Sequence, residues 1–383
     1  MTDGSEREAL MKPVPNQSPT PTTDITGWFQ VLWSEELAVG EVKPMHYFDE
    51  ELVAWRDNDG VVHIQNAFCQ HLGAHLGHGG TVTEDNCIQC PFHGWRWDAN
   101  GRNKLIPYQA NRPNKVRRIE TKHVREQNEC IFMWNDALGR DPLFDIPDVF
   151  DGLFDDEATA DQYYRAYPEG TMIRSEVSLH PQWVMENGVD FAHFQYVHKA
   201  GSLPELVGRD FRAYDSVFEV SMTFGEGKAP TALTPNGAIK GGTNSRSIGL
   251  GIGSALFWGA DTMRTIVCVT PVDSTRSTLR STVWLPKRDL ADGPVVPEKL
   301  QKRMDMANLQ VERDLQIWEN QIYLDPPALA AMETAGYREL RQWSKRFYPL
   351  DHPEEAQKAA EQATAERETR VLGERETSVL IPT

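Results

Sequence analysis

The first half of the chain alternates short apolar runs with turn signals. β-Branched and aromatic residues cluster in four runs that we predict to be strands, at Trp28–Trp33, Glu51–Trp55, Val61–Phe68 and Glu129–Trp134. Turn sequences rich in Asn, Asp and Gly, such as 57–60 and 100–101, separate them. Short strands between such turns are typical of a small all-β domain.

The second half mixes longer strands with helices. A stretch rich in Pro, Asp and Gly, residues 139–152, is interpreted as a linker. Beyond it, strands are predicted at Asp161–Leu179, Ser216–Phe224, Ala255–Thr270 and Ser277–Leu285. Helices are predicted at 182–198 and 298–323. Long antiparallel strands with helices packed on one side indicate an α+β domain.

The two ends differ in character from the rest of the chain. Residues 1–25 are rich in Pro, Thr, Ser and charge without periodicity, which predicts a flexible tail. The charged end, 351–383, contains an Ala- and Glu-rich part at 353–370 that we expect to form a loose helix. We therefore predict one domain at 26–140 and a second at 141–350, flanked by tails.

Composition excludes several classes of protein. With 40% hydrophobic residues and eleven Trp in 383 residues, the chain has the material for packed cores. No run approaches the roughly 18 apolar residues of a membrane span, and the start lacks a signal peptide, so we expect a cytoplasmic protein. A net charge of −17 argues against nucleic acid as a partner. It would suit either solubility or docking to a redox partner with a basic face.

Cysteine and histidine are concentrated in one segment of the first domain. Five cysteines, an odd number, make a disulfide framework improbable in a cytoplasmic chain. Cys69 and His71 are separated by eighteen residues from a second pair, Cys90 and His93. Four such ligands suit either a structural zinc ion or a Rieske 2Fe–2S cluster. Each half contributes one Cys and one His, which favours two metals, and nearby glycines allow amides to hydrogen-bond to the sulfurs.

A second group of metal-binding side chains lies in the predicted helix at 182–198. Asn187, Asp190, His193 and His198 occur there in sequence. His193 and His198 are about 140° apart on a regular helix, so they share a metal only if the helix ends or bends between them. Two neutral imidazoles and one carboxylate form the facial triad that binds ferrous iron.

Two motifs resemble one known family. The segments 69–76 (CQHLGAHL) and 90–101 (CPFHGWRWDANG) resemble the Rieske family. Downstream, the pattern D-x-x-H-x-x-x-x-H at 190–198 resembles the catalytic motif of the Rieske non-haem iron oxygenases. The resemblance runs from about 27 to 348 and is greatest to the 3-ketosteroid 9α-hydroxylase and sterol-oxidising branch. The spacing between the cysteine halves is longer than usual and contains Cys87, interpreted as a buried residue. His75 and His78 are interpreted as loop residues.

The resemblance implies a fold and two metal centres. It implies an all-β Rieske domain followed by a helix-grip, START-like catalytic domain with an antiparallel sheet. One 2Fe–2S cluster would be held by Cys69, His71, Cys90 and His93. One mononuclear Fe(II) would be held by His193, His198 and a carboxylate from a late helix.

Asp314 is the preferred third ligand over Glu312 and Glu319 in the same segment. Asp190 would bridge the iron site to His93 of a neighbouring chain in a homotrimer, and Asn187 would lie beside the iron.

The implied activity is a monooxygenase reaction on an apolar polycyclic substrate such as a 3-ketosteroid. Electrons from NAD(P)H would arrive through a separate flavin or iron–sulfur reductase or a ferredoxin, because the chain has no dinucleotide-binding motif. Sterol desaturation, demethylation and aromatic-ring oxidation are alternatives within the family. A Rieske electron carrier or a START-like lipid carrier is the alternative outside enzymes.

Overall fold

A computed structural model describes residues 17–348, except 111, 155, 202, 208–210, 225–231, 235–236, 240 and 260–261. The helix predicted at 353–370 lies outside the described residues. Residues 17–25, predicted to belong to a flexible tail, pack against the body of the protein. Gln17 forms a β-bridge with Leu324, and Ile25 is fully buried. The expectation of a flexible segment therefore does not hold for this part of the tail.

The N-terminal half is built from three small antiparallel sheets. Its strands are β1 Gly27–Trp33, β2 Val42–Tyr47, β3 Glu50–Arg56, β4 Val62–Asn66, β5 Thr81–Val82, β6 Ile88–Gln89, β7 Arg96–Trp97, β8 Asn103–Leu105, β9 Thr121–Lys122, β10 Val124–Gln127 and β11 Cys130–Asn135. The sheets have the orders β1-β11-β10, β2-β3-β4-β9 and β5-β6-β7-β8. The all-β character predicted for this half is confirmed.

The C-terminal half contains one large antiparallel sheet. Its strands are β12 Thr171–Val177, β13 Glu205–Leu206, β14 Arg212–Tyr214, β15 Val217–Phe224, β18 Gly241–Ile248, β19 Ile252–Trp258, β20 Met263–Pro271 and β21 Ser277–Trp284, with a separate hairpin of β16 Ala232–Thr234 and β17 Gly237–Ile239. The order in the large sheet is β12-β21-β20-β19-β18-β15-β13, and β14 pairs with β15. The α+β class is confirmed.

Four α-helices are found among the described residues: α1 Pro181–Asn187, α2 Phe191–Tyr196, α3 Glu298–Trp318 and α4 Thr334–Ser344. Helix α3 packs across the large sheet, where Leu315 and Trp318 share one apolar cluster with Leu279, and Met304 shares another with Val283. In the described part of the chain, no helix combines the length and apolar character that a membrane span requires.

Four predicted elements are shorter than expected or divided. The strand predicted at 161–179 begins only at Thr171, because Pro168 to Thr171 form a turn. The strand predicted at 255–270 is two strands, and β19 ends before Gly259, which has a φ of +133°. The helix predicted at 182–198 is divided into α1 and α2, and the helix predicted to reach 323 ends at Trp318.

The predicted linker is part of the core between the two halves. Ile146 and Phe150 are buried in one apolar cluster with Trp28 and Trp134 of the first half and Trp284 of β21. Aromatic side chains in this stretch remove large apolar areas from water, so they pack rather than form an exposed connection. The two halves therefore share a continuous core.

His180 fixes the start of α1 and makes the fold sensitive to acid. Its Nδ1 accepts from the Gln182 amide at 3.2 Å, and its Nε2 lies 3.2 Å from the Thr22 carbonyl oxygen. Burial lowers the pKa of His180 from 6.5 to about 4. A lowered pKa in the folded state means that stability is present above the unfolded value and is lost as the pH falls.

We expect the free energy of unfolding to fall by about 3 kcal/mol between pH 6.5 and about 4 because of this one side chain. Denaturant titrations of the wild type and of His180→Asn across this range measure the difference, since Asn keeps a capping oxygen without titrating. His123→Asn, at an exposed histidine, is the control. An equal pH dependence in the wild type and His180→Asn would contradict the prediction.

Candidate metal centres

Two loops of the first half have the same local structure around their cysteines. In the loop after β4, the amide of Gly73 donates to the carbonyl of Cys69 at 2.9 Å. In the loop between β6 and β7, the amide of Gly94 donates to the carbonyl of Cys90 at 3.1 Å. Both glycines have positive φ, +76° and +71°. Glycine adopts this conformation at no steric cost, so the four-residue spacing from Cys to Gly produces two matching tight loops.

These loops bring two sulfurs and two imidazoles together. Cys69 and Cys90 are buried, and the hydrogen bond from the Cys69 thiol lowers the pKa of Cys90 to about 6, with help from the amides of Phe92 and His93. The rings of His71 and His93 lie 4.8 Å apart, centroid to centroid. Sulfur and imidazole donors thus converge from opposite loops, each loop giving one of each.

The donor set fits a 2Fe–2S cluster better than a zinc ion. Each loop supplies one sulfur and one imidazole, so the two sulfurs can bind one iron and the two imidazoles the other. The buried Nδ1 of His93 has no hydrogen-bond partner among the described residues, as expected of a nitrogen reserved for a metal. Two thiolates and two imidazoles are the ligands of a Rieske cluster. The predicted ligands are therefore placed together.

Hydrogen bonds to the sulfurs come from residues that the sequence analysis did not single out. The indole of Trp97 donates to Cys69 Sγ at 3.3 Å, and the amide of His71 also reaches this sulfur. Trp95 stacks on the His71 ring at 4.5 Å. The expected donors were the loop glycines. The W-x-W sequence directly after His93 is the signal that could have identified both tryptophans.

Cys87, His75 and His78 take no part in this group. Burial raises the pKa of Cys87 to about 11, and its thiol donates to the carbonyl of Asp85. His75 accepts a hydrogen bond from the Gly77 amide at 3.1 Å, and its ring lies 4.5 Å from that of His78, centroid to centroid. Their interpretation as buried and loop residues agrees with these positions.

The break between α1 and α2 places two histidines at one point. Asn187 ends α1, and Asp190 begins α2 by accepting hydrogen bonds from the amides of Ala192 and His193. His198 follows the end of α2. One ligand atom from each of His193, His198 and Asp314 lies within 4.8 Å of the other two. The change of direction that the five-residue spacing required is therefore present.

Each member of this triad is oriented by its surroundings. His193 Nδ1 donates to the Asp190 carbonyl at 2.5 Å, which leaves Nε2 available as a ligand. His198 Nε2 lies 3.4 Å from Asp314 Oδ2. Burial lowers the pKa of His193, so its neutral form is favoured. Two neutral imidazoles and one carboxylate fit ferrous iron, and Asp314, not Glu312 or Glu319, is the carboxylate in this position.

Asp190 and Asn187 are placed differently from each other. The Asp190 carboxylate caps α2, so its contact with the His193 ring is made by the main-chain carbonyl rather than by the carboxylate that the sequence predicted. The Asn187 amide lies 3.2 Å from His193 Nε2 and 3.4 Å from Asp314 Oδ2. Asn187 is therefore adjacent to two of the three side chains of the triad.

We expect Asn187→Ala to lower turnover about 10-fold by loosening the triad, without changing the sulfur-containing centre. Iron content and the visible spectrum of the purified variant measure the two centres separately. Asn320→Ala removes an exposed amide beyond the end of α3 and is the control. Equal turnover in the two variants would show that Asn187 has no role at the metal.

A cavity of about 670 Å³ adjoins the triad. It lies between α3 and the large sheet, and its wall includes His193, His198 and Asp314. Strand pairing aligns small side chains on its floor: Ser245 faces Ala255, which faces Thr265, and Gly253 lies in the next row. Small residues in register leave space that larger side chains would fill. Of the aromatic residues in α1 and α2, Phe194 lines the cavity, whereas Trp183 and Phe191 are core residues.

Comparisons with known proteins agree with both centres. Residues 27–124 match the Rieske [2Fe-2S] domain, and residues 133–348 match the 3-ketosteroid 9α-hydroxylase C-terminal domain. The oxygenase component of 3-ketosteroid-9-alpha-monooxygenase from Rhodococcus rhodochrous is 31% identical over 337 residues, covering 84% of this chain and 79% of that protein. Cholesterol 7-desaturase of Caenorhabditis elegans is 28% identical over 361 residues, covering 85% and 77%.

Solved structures share the fold. Dicamba monooxygenase bound to 3,6-dichlorosalicylic acid has a TM-score of 0.64 at 20% identity, covering 86% of this chain and 99% of that one. Pseudomonas putida CBB5 NdmA with caffeine has a TM-score of 0.61 at 18% identity, covering 88% and 94%. At this identity the likeness concerns the architecture alone.

Proposed function

We propose, because this chain belongs to the Rieske non-haem iron oxygenases, that it hydroxylates an apolar polycyclic substrate, a steroid of the 3-ketosteroid kind. Its catalytic half matches the 3-ketosteroid 9α-hydroxylase C-terminal domain. The chain is a monooxygenase component with one Rieske 2Fe–2S cluster and one mononuclear iron. Its electrons come from NAD(P)H through a separate reductase or ferredoxin. A relative named as an oxygenase component supports this division of labour.

The observation that carries the proposal is the cavity beside the triad. Val184, Phe257, Met263, Val267 and Val283 line it, so most of its wall is apolar. Burying apolar substrate surface contributes about 25 cal/mol per Å², or about 2.5 kcal/mol for each 100 Å². A ligand with few polar groups gains affinity mainly in this way, and one or two polar contacts then orient it.

The residues around the iron position hold and orient the metal. His193, His198 and Asp314 would be its protein ligands, leaving other positions open. When bound, the iron activates dioxygen, and the cluster supplies electrons one at a time. The Asp190 carbonyl fixes the tautomer of His193 by accepting a hydrogen bond from its Nδ1–H group. Asn187 would position both Nε2 of His193 and the Asp314 carboxylate.

The electron path is proposed to run between chains of a homotrimer. In this arrangement His93 of one chain approaches Asp190 of the next, and Asp190 couples the cluster to the His193 ring. Two exposed apolar side chains support contact with another surface: Phe92, next to His93, is 61% exposed, and Tyr196, at the end of α2, is 70% exposed. Such side chains are enriched in protein interfaces.

Sterol desaturation is the second candidate, and the similarity to cholesterol 7-desaturase favours it. The two reactions differ in product, since hydroxylation adds one oxygen atom and desaturation removes two hydrogen atoms. Turnover with a generic reductase against 3-ketosteroids, sterols and aromatic acids, with products identified by mass, tests the proposal. A hydroxylated 3-ketosteroid is the expected product. Reaction with aromatic acids alone would exclude a steroid substrate.

A further inference from the structure

A basic surface lies beside the cluster ligands in an otherwise acidic chain. Between Arg102 and Arg125 the sequence contains eight Lys or Arg residues and one acidic residue, whereas the whole chain has a net charge of −17. Arg112, Lys115 and Arg117, here called the basic lip, are all exposed. Within the described part of the chain, no carboxylate forms an ion pair with them. The lip therefore presents its charge to solvent.

The basic lip borders a cleft that contains a cluster ligand. The cleft has a volume of about 550 Å³, and His71, Leu72, Trp95, Asn114 and Arg117 are among its lining residues. Leu72 is 66% exposed and Val116, within the lip, is 86% exposed. Exposed apolar side chains ringed by charge are typical of surfaces that bind another protein.

The two cluster histidines are approached from different surroundings. His71 lies in the cleft and stacks on Trp95, whose indole donates to the hydroxyl of the exposed Tyr108 at 2.8 Å. His93 lies against the exposed ring of Phe92, 3.8 Å away between centroids. Phe92 is not part of the cleft lining. One protein can therefore contact the His71 side while another surface contacts the His93 side.

We propose that the basic lip and its cleft are the docking site for the electron donor, an iron–sulfur or flavin protein with an acidic face. This inference rests on the proposed function, which requires such a donor. Each productive encounter transfers one electron from the reduced donor to the oxidised cluster; the donor is oxidised, the cluster is reduced and no bond is formed. Because the remaining surface of the chain is acidic, it repels this donor and directs it to the lip.

The test neutralises the lip in the holoenzyme with Arg112→Gln, Lys115→Gln and Arg117→Gln together. The probe is a reduced plant-type [2Fe–2S] ferredoxin, an acidic protein, and stopped-flow bleaching of the Rieske absorbance gives the second-order rate constant of cluster reduction. We expect this constant to fall at least about 10-fold at low ionic strength, with the difference disappearing at high salt. The matched control neutralises three other exposed cations with Arg288→Gln, Lys299→Gln and Arg338→Gln. Its rate constant of cluster reduction should change little.

A second measurement does not depend on activity. Carbodiimide cross-linking should join the Lys115 amine to carboxylates of the ferredoxin, and peptide masses identify the link. Three results would each overturn the proposal. The rate constant of cluster reduction could fall equally in the lip and control variants, or stay unchanged in the lip variant. Cross-links could also form only at lysines other than Lys115. A changed oligomeric mass of the lip variant at an unchanged rate would assign the surface to a second copy instead.

Failure of this inference is distinguishable from failure of the proposed function. In a single turnover, chemically reduced wild type and lip variant should form the same amount of product from a 3-ketosteroid. If neither forms product, the substrate assignment fails while the docking kinetics stand. If both form product and the ferredoxin kinetics are unchanged in the lip variant, only the docking site fails.

Discussion

Asp314→Ala should abolish product formation and lower the iron content from about three to about two atoms per chain. The carboxylate is buried, and its Oδ2 lies 3.4 Å from both His198 Nε2 and the Asn187 amide nitrogen. Without it, only two imidazoles remain as protein ligands. Two imidazoles bind ferrous iron more weakly than the complete facial triad does. The sulfur-containing centre is formed by other loops, so its visible and paramagnetic resonance spectra should be unchanged.

Glu319→Ala is the matched control for this experiment. Glu319 is an exposed carboxylate one residue beyond the end of α3, five residues from Asp314. Its removal changes the charge of the chain by the same amount without touching the triad. Retention of three irons and full turnover in Asp314→Ala would refute the assignment, and loss of iron in Glu319→Ala would transfer it to the other carboxylate.

Asp190→Asn should lower turnover with a reductase by about 100-fold while keeping both metal centres. The side-chain oxygen that caps α2 is retained in Asn, and the main-chain carbonyl that holds His193 is unaffected. In the proposed trimer, the variant therefore changes the charge between the two centres but not the local fold. The expected defect is slow electron transfer from the cluster.

Reoxidation of the reduced cluster in a single turnover measures this step directly. A merely structural role would reduce the iron content or the thermal stability, and neither should move in Asp190→Asn. Asp215→Asn, at an exposed residue whose main-chain carbonyl accepts hydrogen bonds from Trp343 and Arg346, is the control. Cluster reoxidation at the wild-type rate in Asp190→Asn would rule out the bridge.

Local spacing explains why the metal-binding residues were predictable. Cys69 with His71, Cys90 with His93, and His193 with His198 each belong to one short segment, so their geometry depends on a single loop or helix end. The glycine four residues after each cysteine marks the tight turn directly in the sequence. Asp314 required the family resemblance, because no local pattern connects it to a histidine more than a hundred residues earlier.

The sequence by itself therefore predicted which side chains lie together at the two candidate centres, the order of an all-β half and an α+β half, and the class of chemistry. Only the tertiary structure decided what surrounds the two centres. Trp97 reaches Cys69 across 28 residues, and the cavity floor depends on Ser245, Ala255 and Thr265 being aligned on three strands. The acidic net charge suited either solubility or docking to a partner with a basic face, yet the exposed lip at the cleft is itself basic. Register and packing bring distant residues together through long-range contacts, and neither spacing nor composition contains that information.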